Sequence, residues 1–414
     1  MFKKLSPHLL LWTCSALVLL LKYVEAQHSP TGSHEQGALE VQIYIYDLPA
    51  NFQNLSTLEP HAQSAYNSFL YGAEKRLPEA LHEAGYVTTN ASQAKFFLVP
   101  IWLYAVREHA SLQLPAGSPL RPERQALSTT ISHISARYPF WSASQGTDHI
   151  WTLTNDQGFC GFARNEETLD EIQNSTILTH WGLQTTEVDC GLKERLSSFN
   201  HCPDRAKKAG RAEHLTCFDP HKDVVISTTA WDNFEYLPIR DSEHHGTDQQ
   251  QVASQQRRRL HADDDLITLE AISAKKEHTL FFVGSLRTWA TEYSHGVRQT
   301  VVALFNDNPG FYLNRMPLSH ADMAKEMGRS HFCLATSGAG WGVRLKLAVM
   351  TGCIPLVIQD DVQMPFETVL PYKDFALRLP QHAVHDLPRI LEELLQKQPQ
   401  RVQEMRSAAT HALE

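Results

Sequence analysis

The sequence predicts an α/β protein of two Rossmann-like halves joined by a polar linker. Three observations carry that expectation. Short runs rich in β-branched and aromatic residues alternate with helix-like stretches, as strands alternate with crossover helices. Some of those runs are continuously apolar, such as AKFFLVPIW (Ala94–Trp102), which suits a parallel strand covered on both faces. The alternation occurs twice, and between the two series the composition turns polar and Gln-rich. With 414 residues, 42% hydrophobic, 20 Gly and 21 Pro, the chain has enough apolar material for two or three domains. Collagen-like and wholly disordered classes are excluded.

Residues 1–26 read as a signal peptide or signal-anchor. Lys3 and Lys4 precede an uncharged stretch whose strongly apolar part runs from Leu9 to Leu21, and Val24-Glu25-Ala26 resembles a small-residue cleavage site. A bilayer span needs about 20 apolar residues, so the length favours cleavage. Both readings send the chain into the secretory pathway, with a membrane contact through this segment where it is not cleaved. Polar residues 27–40 suit a stem. The triplets at Asn54, Asn90 and Asn174 are N-glycosylation acceptors by pattern. Cys160, Cys190, Cys202 and Cys217 cluster in one segment and are expected to form disulfides, with zinc the weaker reading for want of a CxxC spacing. Cys333 and Cys353 lie in apolar runs and are expected to be buried thiols.

The first half covers 41–239. Strands are expected at VQIYIYDLP (Val41–Pro49), AKFFLVPIW, DHIWTLT (Asp148–Thr154) and DVVIST (Asp223–Thr228), with a helix around Ser64–Ala84. Residues 240–276, with their Gln repeats and RRR and DDD triplets, read as a solvated linker. The second half covers 277–382. It runs strand TLFFVGS (Thr279–Ser285), helix Ser294–Phe305, strand FYL, helix His320–Arg329, strand HFCLAT, helix Val343–Thr351 and strand CIPLVIQ. In the tail, 383–414, Leu387, Ile390, Leu391 and Leu394 recur at helical spacing over Ala383–His411.

Three constellations carry chemistry. In SGAGWGVR, between a buried strand and a helix, Ser337, Gly338, Gly340, Gly342 and Arg344 form a loop whose backbone amides and cation suit a diphosphate. Gly338-x-Gly340, with Asp360 and Asp361 roughly 20 residues on, also imitates a dinucleotide fingerprint, which keeps an NAD-dependent oxidoreductase as a minor alternative. Arg298 in YSHGVRQ opens a helix, and Arg287 follows the strand ending at Ser285. Both present the planar fork that phosphate favours. In GTDHIWTLTNDQG, Asp148, His149 and Asp156 flank a strand and offer a general base. The balance of 37 Lys+Arg against 46 Asp+Glu, −9 overall, gives no global attraction to nucleic acid.

The ordered set IYIYDLP, AKFFLVPIW, GTDHIWTLTNDQG, DVVIST, FFVGS, YSHGVRQ and HFCLATSGAGWGVRLKLAVMTGCIPLVIQDDVQMPF resembles the exostosin family, glycosyltransferase family 47, from about Val41 to Pro380. NSTILTHWGL is similar to exostosin-like proteins of green algae and plants. The resemblance implies a GT-B-like enzyme, two Rossmann-like domains facing a cleft, with the donor held by the C-terminal one. It implies a Golgi-lumen protein that moves a sugar from a UDP-sugar to a glycan or polysaccharide acceptor with inversion, without cofactor or metal. In that frame Arg287, Arg298 and the Ser337–Arg344 loop hold the diphosphate, and Asp148, His149 or Asp156 activates the acceptor. The sequence departs from the family twice. Leu347 stands where many relatives carry a Glu that can bind the donor ribose, and Ser227-Thr228 end a strand where relatives show Pro-Pro. The first departure motivates a rival reading, a secreted non-catalytic glycan-binding relative.

Overall fold

The computed structural model describes residues 41–49, 70–106, 122–159, 171–184, 218–228, 274–289, 293–314 and 318–411. They fall into two compact units, the first taking in everything described up to 184, 218–228 and Asp361–Leu370, the second the remainder. The expected leader and stem, Asn54, the four clustered cysteines and nearly all of the expected linker lie outside the described residues.

In the first unit, β1 (Ile43–Ile45), α1 (Ala73–Glu83) and β2 (Phe96–Leu98) are followed by α2 (Pro122–Arg137), α3 (Phe140–Ser144) and β3 (His149–Leu153). β4 (Thr176–Thr179), β5 (Gly182–Leu183) and β6 (Val224–Val225) complete it in this stretch. The sheet is parallel throughout, in the order β1-β2-β3-β4-β6. Alternation along the central strands builds two cores. Phe97, Val99, Trp151, Leu153 and Ile177 face one, and Phe96, Leu98, Ile150 and Leu178 face the other. A run apolar at every position therefore becomes a strand buried on both sides. β4 was not expected, because its TILT sequence is half threonine; it is nonetheless buried throughout.

In the second unit, β7 (His278–Val283), α4 (Val297–Phe305), β8 (Phe311–Asn314), α5 (His320–Gly328), β9 (Ser330–Leu334), α6 (Arg344–Met350) and β10 (Ile354–Val357) follow the expected alternation. The chain then gives β11 (Val362–Gln363) to the first unit, where it pairs antiparallel with β5. α7 (Tyr372–Phe375), β12 (Leu377–Arg378), α8 (Leu387–Lys397) and α9 (Pro399–His411) end the described chain. The sheet is again all parallel, β12-β10-β9-β7-β8. Leu280 and Phe282 face α4 and α8 through Val297, Val301, Leu387 and Leu391, whereas Phe281 and Val283 face Met327, Leu347 and Ala348.

Three details differ from expectation. The helix expected from Ser294 begins at Val297, because Ser294, His295 and Gly296 are left-handed (φ +52°, +50° and +79°). The tail breaks at Gln398 into two helices, the second opening on Pro399, a residue suited to a first helical turn and unable to donate within a continuous one. Cys333 and Cys353 are buried as expected but are not thiols: they form a disulfide. β9 and β10 are neighbours, with Pro355 opposite Cys333, so residues distant in sequence meet across one strand pair.

Candidate active site

The second unit gathers its cations beyond the C-terminal ends of β7 and β9, the edge where open parallel sheets bind ligands. Arg298, in the first turn of α4, is 2% exposed. Its Nη1 donates to the Tyr293 hydroxyl at 2.7 Å and to the Ser285 carbonyl at 3.2 Å, and Nη2 to the Thr336 carbonyl at 3.4 Å. Its buried Nε has no acceptor among the described residues. Arg344 donates Nη2 to the Val283 carbonyl at 2.9 Å, and its guanidinium lies 5.1 Å from the Phe282 ring centre. Gly284 makes this approach feasible, since a Cβ there would collide with the Arg344 guanidinium. Arg287 is exposed and lies 4.9 Å from the Tyr293 ring centre, against 4.8 Å for Arg298.

No carboxylate among the described residues pairs with any of the three. Burial lowers the Arg344 guanidinium to about 9, with repulsion from Arg298 adding to it. Burial also lowers Arg298, with Arg287 contributing, against an opposing pull from Tyr293. Buried cations without a counter-charge are costly to hold. The backbone around them is strained as well. Arg287, Ser294 and His295 all occupy the left-handed region, a conformation that concentrates at ligand sites. The turn is held by the Ser294 N–H donating to the Gly338 carbonyl at 2.7 Å and by the Ser294 hydroxyl accepting from the Arg298 N–H at 3.1 Å.

The glycine loop joins this cluster but serves it differently from the expectation. The Gly338 N–H is consumed inside the loop by the Gly340 carbonyl at 2.9 Å. Ser337 and Gly340 are buried. The glycines act by allowing approach: Gly338 and Gly342 lie with their Cβ positions 3.6 and 3.8 Å from Arg298 Nη2. Tyr293, which organises the guanidinium groups, carries no motif of its own; its place at the head of YSHGVRQ, between two arginines, was the available signal.

In the first unit the expected trio is divided. Asp156 lies beyond the C-terminal end of β3, partly exposed, and accepts from the Tyr71 hydroxyl at 2.5 Å. Asp148 and His149 lie at the opposite end of that strand. His149 is fully buried, with Nε2 2.9 Å from the Tyr46 hydroxyl and Nδ1 2.6 Å from Asp148 Oδ1, its ring packed against Phe97 and Trp141. Burial pushes the Asp148 carboxyl up, but the His149 and Ser144 hydrogen bonds outweigh it and hold the group low. His149 has no exposed surface, and its contacts in this structure are those of a packed side chain, which favours Asp156 among the three. Asp360, the acid of the dinucleotide reading, instead accepts from the Gln381 N–H at 3.1 Å. Among the described residues no three His, Cys, Asp or Glu side chains converge as a metal site, and no helix is long and apolar enough to cross a membrane.

A parallel α/β unit with guanidinium groups clustered beyond its strand ends has the build of the nucleotide-handling α/β proteins. The Exostosin GT47 domain model matches residues 39–394, and the chain belongs to this family of glycosyltransferases. It is 25% identical to the probable glucuronoxylan glucuronosyltransferase F8H of Arabidopsis thaliana, over 93% of this chain and 76% of that protein. It is 26% identical to the probable glucuronosyltransferase Os03g0107900 of Oryza sativa subsp. japonica, over 88% and 72%. To the probable beta-1,4-xylosyltransferase IRX10L of Arabidopsis thaliana it is 24% identical, over 86% and 73%. Among solved structures, the putative UDP-N-acetylglucosamine 2-epimerase of Listeria monocytogenes covers 90% of this chain and 94% of its own at 13% identity and a TM-score of 0.29, too weak a likeness to carry more. Family membership displaces the oxidoreductase alternative.

Proposed function

We propose that the protein transfers a sugar from a UDP-sugar to a cell-wall polysaccharide or glycan acceptor, with inversion, inside the secretory pathway in the Golgi lumen. One observation carries the donor assignment: Arg287, Arg298 and Arg344 converge on Tyr293 and Phe282 with no acidic partner among the described residues, and a diphosphate supplies the missing charge. The Ser337–Arg344 loop lines the same place. In the reaction, Asp156 takes the proton of the acceptor hydroxyl, the acceptor oxygen attacks the anomeric carbon, and the bond to UDP breaks. Negative charge then grows on the diphosphate, where preorganised guanidinium groups are most effective. The relatives' names point to glucuronosyl and xylosyl donors and to xylan-like acceptors.

Release of UDP should be measured across a panel that includes UDP-glucuronic acid and UDP-xylose, with and without xylan oligosaccharides. Release with one donor that rises on adding acceptor supports transfer. Tight UDP binding with no turnover supports the rival, a non-catalytic glycan-binding relative. That reading rests on Leu347, which is 5% exposed in an apolar cluster with Phe281 and Val283 and offers the donor no carboxylate.

A further inference from the structure

The surface turn over residues 88–93 holds one of the three glycosylation triplets, and neither the donor cluster nor the proposed base uses it. In Asn90-Ala91-Ser92 the asparagine and the serine are both exposed, and the short 3-10 helix Ala91–Gln93 buries none of its residues. Asn90 Oδ1 accepts from the Ser92 N–H at 3.1 Å, and the Asn90 N–H donates to Thr88 Oγ1 at 3.1 Å. Among the described residues nothing accepts from Asn90 Nδ2, and the Ser92 hydroxyl has no partner either. A bulky, hydrophilic group on Nδ2 therefore breaks no hydrogen bond and covers no core residue.

The triplet at Asn174 has a different environment. Asn174 is exposed, but Ser175 and Thr176 are buried, and Thr176 opens β4, where it lies opposite Ile150 of β3. Once β4 has joined β3, the hydroxyl residue of that triplet is out of reach of a modifying enzyme. Asn90 and Ser92 are accessible before folding and after it.

The turn also stands at the end of the first sheet that the reaction leaves alone. Both of its flanks are tied to the start of β1: the Thr88 N–H donates to the Ile43 carbonyl at 3.0 Å, and the Lys95 N–H to the Gln42 carbonyl at 2.8 Å. β1, β2 and β3 are parallel neighbours, so the turn belongs to their N-terminal ends, whereas Asp156 lies beyond the C-terminal end of β3.

We propose that Asn90 carries an N-linked oligosaccharide, attached at the end of the first sheet opposite to Asp156. The sugar comes from a lipid-linked oligosaccharide diphosphate of the secretory pathway. Asn90 Nδ2 bonds to the anomeric carbon of the oligosaccharide, the bond from that carbon to the lipid diphosphate breaks, and Nδ2 gives up one proton. Ser92 supplies the hydroxyl that an acceptor triplet carries two residues after its asparagine. The modification rests on the proposed entry into the secretory pathway and on no assignment of donor sugar or base.

The full chain, expressed in plant cells, should be treated with a peptide-N-glycosidase in heavy-oxygen water, which converts a glycosylated asparagine to a labelled aspartate. Peptide mapping should find the label at position 90. Asn90→Gln and Ser92→Ala should lose it and migrate faster by one glycan, while Ser92→Thr should keep it. Asn90→Gln should retain UDP affinity and turnover within about twofold of wild type, as a surface change remote from the site. An unlabelled Asn90 in a chain that intact microsomes protect from added protease overturns the proposal and leaves the secretory reading standing. A chain that added protease digests in intact microsomes overturns the secretory reading, and the site with it. Loss of turnover in Asn90→Gln, with its melting transition intact, overturns the placement of the glycan away from the reaction.

Discussion

Arg298 Nη1 donates to the Tyr293 hydroxyl at 2.7 Å while its guanidinium carbon sits 4.8 Å from the centre of the same ring. One tyrosine therefore fixes the cation in two ways, by a charge-assisted hydrogen bond and by the ring. The guanidinium cannot swing to solvent, and its buried Nε remains to be satisfied. For the diphosphate site proposed above, that is preorganisation, with little ordering left for the ligand to impose.

Arg298→Ala should weaken UDP binding about 10- to 150-fold, the loss of a charge-assisted bond of roughly 1.5–3 kcal/mol net. Arg298→Lys should recover part of it, keeping the charge and losing the fork. Tyr293→Phe, which keeps the ring and removes the acceptor, should fall between wild type and Arg298→Ala. Calorimetry with UDP, beside a melting curve for each variant, checks all three. Unchanged affinity in a folded Arg298→Ala protein would take Arg298 out of the site.

Arg344 brings a pH dependence. Its guanidinium is lowered to about 9 by burial, with Arg298 adding to the shift. The charged form is the one that attracts a diphosphate, so UDP affinity should hold at pH 7–8 and fall as pH rises through about 9. Binding raises the guanidinium back toward its ordinary value, so UDP should take up protons near pH 9. UDP titrations at several pH values in two buffers of different ionisation enthalpy test this. Affinity flat to pH 10 would mean that Arg344 keeps its charge throughout or does not meet the phosphates.

Regular features of the chain were legible and long-range ones were not. AKFFLVPIW gave a buried central strand because every position is apolar, and β7 through β10 fell where their runs lie. The placement of Arg287 and Arg298 beyond the end of β7 was legible because a short motif after a strand reaches the strand's C-terminal edge by topology alone. The burial of His149 was not legible because Asp148 and His149 are adjacent in sequence, whereas the groups that bury the ring come from Tyr46, Phe97 and Trp141. Glu74, buried in the first turn of α1, had no sequence signal: in YGAEKRL a glutamate reads as a solvated helix residue, and its burial depends on Tyr104 and Thr154, which are brought to it by the sheet.

The disulfide yields a stability prediction. Cys333 and Cys353, 20 residues apart, close a loop that contains the whole glycine segment and α6. A cross-link over a loop of that size is worth about 3 kcal/mol in the chain-entropy model. Cys333→Ser/Cys353→Ser should therefore lower Tm by roughly 6–12 °C, at about 2–4 °C per kcal/mol for a domain of this size. A non-reducing peptide map should recover the two cysteines in one linked peptide. Free thiols at both positions in the purified, non-reduced protein would contradict the pairing.

The two ends of β3 make opposite predictions. Asp156, beyond its C-terminal end and oriented by Tyr71, is the proposed base, so Asp156→Asn should lower kcat by roughly 10²- to 10⁴-fold with UDP affinity unchanged. At the other end, His149→Phe removes the partner of the buried Tyr46 hydroxyl and of Asp148. A buried polar group left unsatisfied costs about 1–3 kcal/mol, so this variant should melt earlier while its folded fraction turns over normally. Asp148→Asn keeps a hydrogen-bonding side chain beside His149, so its Tm should fall less and its kcat should stay. The assays need both readouts on each protein, since a loss of activity explained by unfolding says nothing about the base. If Asp148→Asn lowers kcat with its melting transition intact, the base lies at the start of β3, and the burial of His149 must open during turnover.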